Sequence, residues 1–354
     1  MDSFVYQSLP LRVVFGEGTS ARLAEEADLL AVRRALVLTT PGHERLGREM
    51  AEHLGDRFAG LFPGAVMHTP VIVTEEALKR ATDSKADGVI AVGGGSTVGL
   101  GKAIALRTGL PQIAIPTTYA GSEMTPILGQ TQDGVKTTQS DPELLPKTVI
   151  YDVDLTLSLP VRIAAVSGIN AMAHSVEALY ARDCNPIISL MAADAVRALA
   201  GALPDIVRAP DDRDARSQAL YGAWLGGVCL GSVGMALHHK LCHVLGGTFN
   251  LPHAETHAIV LPHAMAFNSV AVPEIARRIA QILGASEAAA GLYDLARRLD
   301  VPMGLREIGM PESGIDRAAD LTMANPYWNP RALERRAIRE LIAGAWAGER
   351  PPVG

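Results

Sequence analysis

GVIAVGGGSTVGLGKAIA, residues 88–105, passes from an apolar run through three consecutive glycines into a segment of helical composition. A short apolar run ending in glycines reads as a buried strand turning into a helix. Glycines let a backbone come close to a phosphate, and the amides at a helix N-terminus can then hold the anion. The spacing is neither a P-loop nor a clean GxGxxG, so the turn alone does not decide between a ligand site and a tight connection. A second loop, IPTTYAGSEMT (115–125), is dense in hydroxyls and small residues. Both loops would leave the C-terminal ends of parallel strands, where ligands bind in such sheets.

Working outward, RALVLTT (34–40), QIAIPTT (112–118) and TVIYDVDL (148–155) read as further strands, and EMAEHLGDRFAGL (49–61) as an amphipathic helix. Alternating strands and helices imply a parallel sheet covered on both faces. Beyond about residue 157 the chain changes character. PVRIAAVSGINAMAHSVEALYA (160–181), ISLMAADAVRALAGALPDIV (188–207) and SQALYGAWLGGVCLGSVGMALHHKLCHVLGG (217–247) are Ala-rich with helical period. The expected fold is therefore an α/β N-terminal dinucleotide-binding domain (1–157) followed by an all-α C-terminal domain (158–354), with the boundary at LSLP.

Of 354 residues, 48% are hydrophobic and 20% charged, and the formal net charge is −6. This fits a globular chain, and it offers no basic block of the kind that suits nucleic acid. Three cysteines without a CxxC argue for a reducing compartment. The N-terminus lacks the pattern of a signal peptide, and the longest apolar runs are broken before about 18 residues. A cytoplasmic protein with no membrane span is expected.

HHKLCHVLGGTFNLPHAETHAIVLPH (238–263) holds six of the ten histidines. His239 and His243 stand four apart, on one helix face, and so do Asn170 and His174 in GINAMAHSVEAL. His253 follows a proline ten residues after His243. Burying several imidazoles costs free energy unless each finds a partner, so the cluster reads as functional.

These motifs together resemble the iron-containing (group III) alcohol dehydrogenase family, whose fold is like that of dehydroquinate synthase. The resemblance covers nearly the whole chain. It implies a homodimer with a nicotinamide cofactor between the two domains. The family's metal ligands are an Asp and a His four apart, then two further His. The matching positions are Asn170, His174, His239 and His253, and His243 matches another active-site histidine. Gly93, Gly94, Gly95, Ser96, Thr97, Thr117 and Thr118 match the nucleotide loops, and Lys136 matches a lysine near the cofactor ribose. At the end of strand 34–40, Thr39 and Thr40 stand where an acidic side chain would repel a 2′-phosphate. NADH and NADPH both remain open.

The departures share one direction. Asn170 replaces an Asp, Gly99 replaces an Asp in GGGSxxDxAK, His257 replaces an Asn, and Tyr119 replaces a small residue. Negative charge is removed and potential positive charge is added, which suits an anionic substrate. Losing the only anionic ligand should weaken a metal site, so no metal is expected on the residual framework of His174, His239 and His253. The pattern resembles the branch that reduces the C=C bond of maleylacetate to 3-oxoadipate in aromatic-compound degradation. On that reading His243 or His253 supplies a proton. His174, His239, His257, Asn170, Tyr119 and Lys240 bind the small dicarboxylate. His238 and His263 are left to packing or capping. The alternative in the same family is a metal-dependent alcohol or polyol dehydrogenase.

Overall fold

The computed structural model describes residues 3–132 and 135–352. The chain divides into two compact units, one of residues 8–159 and one formed by residues 3–7 with 160–352. The division falls at Leu159/Pro160 rather than at 157/158.

In the first unit the order is β1 (Arg12–Gly16), α1 (Leu23–Leu29), β2 (Ala35–Leu38), α2 (Glu44–Leu54), β3 (Phe58–Phe62), α3 (Val71–Asp83), β4 (Gly88–Gly93) and α4 (Gly95–Thr108). β5 (Gln112–Pro116), β6 (Ile127–Gln132), β7 (Val135–Ser140), β8 (Thr148–Asp152) and the short α5 (Val153–Thr156) follow. The six-stranded sheet has the order β1-β8-β5-β4-β2-β3 and is parallel throughout, while β6 and β7 form a separate antiparallel hairpin. Side chains alternate across the sheet. Leu36, Leu38 and Val89 pack with Leu100 and Ile104 on one face, and Val37, Ile90, Ile113 and Ile150 pack with Leu23 and Met50 on the other. Both faces are covered, so the central strands β2 and β4 carry no polar side chain and are buried along their whole length rather than at every second position.

The chain runs outward from β2 to β3 and returns to the other side of β2 as β4. This reversal makes a switch point between β2 and β4, the usual place for a nucleotide in a doubly wound sheet. Two sequence expectations are corrected in this unit. The helix expected over 49–61 stops at Leu54, and Phe58–Phe62 is an edge strand beside β2. Gly55, at φ +56°, breaks the helix. The strand expected over 148–155 ends at Asp152, whose carboxylate caps α5 through the amide of Asp154.

The second unit contains α6 (Val161–Leu179), α7 (Pro186–Arg208), α8 (Arg213–Ser232), α9 (Leu237–Phe249), α10 (His253–Ser269), α11 (Pro273–Leu283), α12 (Ala288–Arg298), α13 (Gly314–Ala324) and α14 (Arg335–Ala347). The segment expected as helical over 217–247 is broken between α8 and α9, which meet at 94°. α7 is, by length and composition, apolar enough to cross a bilayer, which the sequence reading did not expect. It packs against α6 and α8, with Ile188, Val196, Leu199 and Leu203 buried, the place such a helix takes in a protein core.

Candidate active site

Two groups of predicted residues assemble, one in each unit. In the α/β unit, the glycine turn and the 117–118 loop meet. Gly93 pairs in register with Pro116, and the Thr117 amide donates to the Gly93 carbonyl. Gly93 has φ +149°, and a Cβ there would sit 2.5 Å from Thr97 Oγ1. A Cβ on Gly94 would sit 3.1 Å from Thr118 Oγ1. A side chain at Gly94 would therefore enter the space between the two loops, and one at Gly93 would strike the first turn of α4. Gly95 and Ser96 open α4, and Thr97 Oγ1 is buried with no hydrogen-bond partner among the described residues. A cradle of glycines, a helix N-terminus and a buried hydroxyl together fit a nucleotide pyrophosphate. Thr40 follows β2, next to β4, and its hydroxyl meets His43 Nδ1 at 2.7 Å. The side chain of Lys136 lies outside the described residues.

Lys102, which the sequence reading passed over, holds the second loop in place. Its Nζ donates to the carbonyls of Ser122, Thr125 and Ile127 at 2.6, 2.7 and 2.9 Å. Burial pushes this ammonium down to about 7, against the charge of the buried Glu123. Glu123 in turn accepts from the Tyr151 hydroxyl at 2.8 Å. Tyr119 belongs to this unit and is fully buried. Gly99 abuts Thr69, whose Oγ1 would lie 2.7 Å from an added Cβ, so the aspartate of related chains has no room unless Thr69 moves.

In the helical unit, histidines from three helices form one continuous cluster. The rings of His174 and His239 are 5.2 Å apart, His239 and His257 5.0 Å, His253 and His257 4.4 Å, and His239 and His243 6.2 Å. Asn170, His174, His239 and His257 are buried, whereas His243 and His253 are exposed and Lys240 is half-buried. His238 joins through a 3.0 Å bond between its Nε2 and His257 Nδ1. His263 is buried on α10 and packs beside Gly344. Burial, with the neighbouring imidazoles adding to it, holds His174, His238 and His257 well below the usual histidine range. Among the described residues, Asn170 Oδ1, His174 Nδ1, His239 Nε2 and His257 Nε2 have no hydrogen-bond partner. Each such buried atom costs about 1–3 kcal/mol unless a ligand or water satisfies it.

Glu177 organises this cluster. Its carboxylate accepts from the amides of Ala236 at 2.9 Å and His238 at 2.8 Å, at the start of α9. It also accepts from His239 Nδ1 at 2.6 Å. A buried negative charge at a helix N-terminus is favourable, and here it sets where α9 begins after the bend. It also leaves Nε2 as the nitrogen His239 offers to a ligand. A lone Glu in an Ala-rich helix, three residues after His174, was the only trace of this in the sequence. Tyr327, also missed, places its hydroxyl 3.0 Å from His243 Nδ1.

The residues do not fit a divalent metal at the framework positions. Asn170 supplies a neutral amide, and Glu177 is committed to backbone amides and to His239. Among the described residues, three ligand atoms come within 4.8 Å of one another at His238, Cys242 and His257, and not at His174, His239 and His253. The framework expected from the sequence is thus not closed by His253. At the triad that does converge, His238 Nε2 and His257 Nδ1 are spent on each other.

The doubly wound sheet and the histidine-bearing helical unit define a nucleotide-dependent dehydrogenase scaffold. The chain belongs to the iron-containing alcohol dehydrogenase family: the family model for its N-terminal part matches residues 10–153, and that for its C-terminal part matches residues 164–346. Among characterised relatives it is similar to maleylacetate reductase of Rhizobium sp. (strain MTP-10005), 55% identical over 351 residues, covering 99% of this chain and 100% of that one. Maleylacetate reductase of Burkholderia cepacia is 53% identical over 351 residues, with the same coverage. The crystal structure of maleylacetate reductase from Agrobacterium tumefaciens superposes with a TM-score of 0.96 at 55% identity, covering 99% of this chain and all of that one.

Proposed function

We propose that this protein is a maleylacetate reductase, an oxidoreductase that uses NADH or NADPH to reduce the C=C bond of maleylacetate to 3-oxoadipate. The observation that carries the reading is the buried histidine cluster with Asn170 at the position of the family's anionic ligand. Full-length similarity to maleylacetate reductases supports it.

When bound, the dihydronicotinamide supplies a hydride, which reaches the substrate carbon β to the ketone. The C=C π pair then becomes an enolate, and a proton must reach the adjacent carbon. Electrons and protons balance as one hydride and one proton per substrate. The protein's task is to bind two carboxylates, stabilise the enolate oxygen and deliver that proton. His174, His239 and His257, with the Asn170 amide, offer unsatisfied polar atoms and no negative charge to the incoming anion. An anion raises the proton affinity of the imidazoles it approaches. Substrate binding therefore draws protons onto His174 and His257, which burial holds well below the usual histidine range beforehand. His243 and His253, at the exposed end, are the proton donors in this scheme, with Lys240 as a further substrate contact; Tyr119, fully buried in the α/β unit, offers the substrate no exposed surface. Gly93, Gly94, Gly95, Ser96, Thr97, Thr117, Thr118, Thr40 and Lys136 hold the nucleotide. No step requires a metal.

The test is direct. Chelator-treated protein is mixed with NADH or NADPH and fresh maleylacetate, and loss of the reduced cofactor is followed. Stoichiometric consumption supports the reading. No consumption of either cofactor overturns it, and chelator-sensitive alcohol oxidation would assign the chain to the dehydrogenases of its family instead.

A further inference from the structure

We infer that Tyr327 is a positioning residue for His243, fixing which ring nitrogen of that imidazole exchanges the proton in the reduction proposed above. The inference rests on that reading for its chemistry, but its geometry stands independently.

Residues 325–334, NPYWNPRALE, connect α13 to α14 without regular structure. Two side chains fasten this strap to the helices that carry the histidines. Asn329 exchanges amide hydrogen bonds with Asn268 at 2.7 and 3.0 Å, near the end of α10. Its Oδ1 also faces the Leu237 amide at the start of α9, at 3.4 Å. Arg331 donates to the Phe267 carbonyl at 2.9 Å, and its guanidinium lies 4.2 Å from the Phe267 ring centroid. Tyr327, two residues before Asn329, is thereby brought to α9. Its hydroxyl lies 3.0 Å from His243 Nδ1, and Lys240 Nζ lies 5.5 Å from its ring centroid. The cation on the ring face holds the ring's orientation while the hydroxyl meets the imidazole.

The two nitrogens of an imidazole are not equivalent once one of them is engaged. In this assignment the phenol oxygen accepts from Nδ1–H across the 3.0 Å contact, which leaves Nε2 as the nitrogen that takes up and releases the proton. The imidazolium gives its Nε2 proton to the enolate carbon and keeps Nδ1–H on Tyr327. Imidazolium becomes imidazole, the enolate becomes the ketone, and charge is conserved. Without the hydroxyl, the neutral ring spreads its proton over both nitrogens and is no longer held in one orientation, so Nε2 faces the substrate for a smaller fraction of the time.

Tyr327→Phe removes only the oxygen and keeps the ring and its contact with Lys240. In protein labelled with 15N-histidine, the neutral His243 ring should carry its proton on Nδ1, and the variant should move it toward Nε2. With maleylacetate and NADH, kcat should fall about tenfold while KM changes by less than about twofold. In a His243→Ala background, Tyr327→Phe should cost nothing further, because the residue acts through the imidazole. An Nε2–H tautomer in the parent protein, an unchanged tautomer in the variant, or a loss that adds fully to that of His243→Ala would each overturn the assignment. The tautomer readout needs no substrate. A wild-type protein that consumes no cofactor with maleylacetate would sink the proposed reaction, while an unchanged tautomer sinks the role of Tyr327.

Discussion

One carboxylate of Glu177 serves both the backbone of α9 and the side chain of His239: its Oε2 accepts from the Ala236 amide at 2.9 Å and from His239 Nδ1 at 2.6 Å. A group with two such partners joins the position of a helix to the orientation of a site residue. Glu177→Gln keeps the size and loses the charge, and its amide nitrogen must face at least one N–H donor. We expect a loss of about 2–4 kcal/mol in stability, read by urea unfolding, and a kcat at least about tenfold lower. Unchanged stability would show that the charge is not needed to start α9.

Asn170→Asp should convert the pocket toward cation binding. A carboxylate among neutral imidazoles compensates part of a divalent ion's charge. Calorimetric titration with Zn2+ should show affinity raised by at least about tenfold over the parent protein. Equal affinities would refute the argument from charge.

Stability should fall below neutral pH because of buried imidazoles. Burial pushes His263 down to about 4, against about 6.5 for the unfolded residue. Between those values the unfolded chain binds more protons, so stability rises with pH across the window and is lost as pH falls through it. His174, His238 and His257 are shifted in the same direction. His263 alone should remove about 2 kcal/mol between pH 7 and pH 5. Urea midpoints at the two pH values measure this, and His263→Leu should have the shallower dependence.

The glycine turn should tolerate no side chain at its first position. Gly93→Ala combines φ +149° with a contact of 2.5 Å to Thr97 Oγ1. It should cost about 1–3 kcal/mol and weaken NADH binding, followed by cofactor fluorescence. Gly94→Ala meets Thr118 at 3.1 Å without backbone strain, and its effect should be smaller. The reverse ranking would place the cofactor elsewhere.

Lys102→Met leaves three backbone carbonyls without their shared donor. At about 1–3 kcal/mol for each unsatisfied group, the variant should lose more than about 3 kcal/mol. Thermal unfolding checks the loss. A variant of wild-type stability would mean that the 122–127 loop finds other donors.

The contrast between legible and hidden features follows the range of the interactions. β4 and its glycine turn were readable because a strand buried on both faces is apolar throughout and glycine marks the turn. FAGLF was misread as helix because Phe58 and Leu61 also suit a period of 3.6, and only Gly55 separates it from α2. The histidines were readable from spacing within single helices. Glu177 and Tyr327 were not, because their partners lie 62 and 84 residues away in the chain. Nothing local distinguishes an organising glutamate from a surface one, or a strap tyrosine from a loop tyrosine.

Asn170 and Glu177 stand seven residues apart on α6, two turns along one helix face. The first decides how much charge the pocket carries, and the second decides whether α9 starts where it should. Because these duties rest on different residues, a lineage can exchange one chemistry for another at position 170 while inheriting its architecture through position 177. The bend between α8 and α9 is, in that sense, the hereditary part of the site, and the pocket it frames is the part open to reinvention.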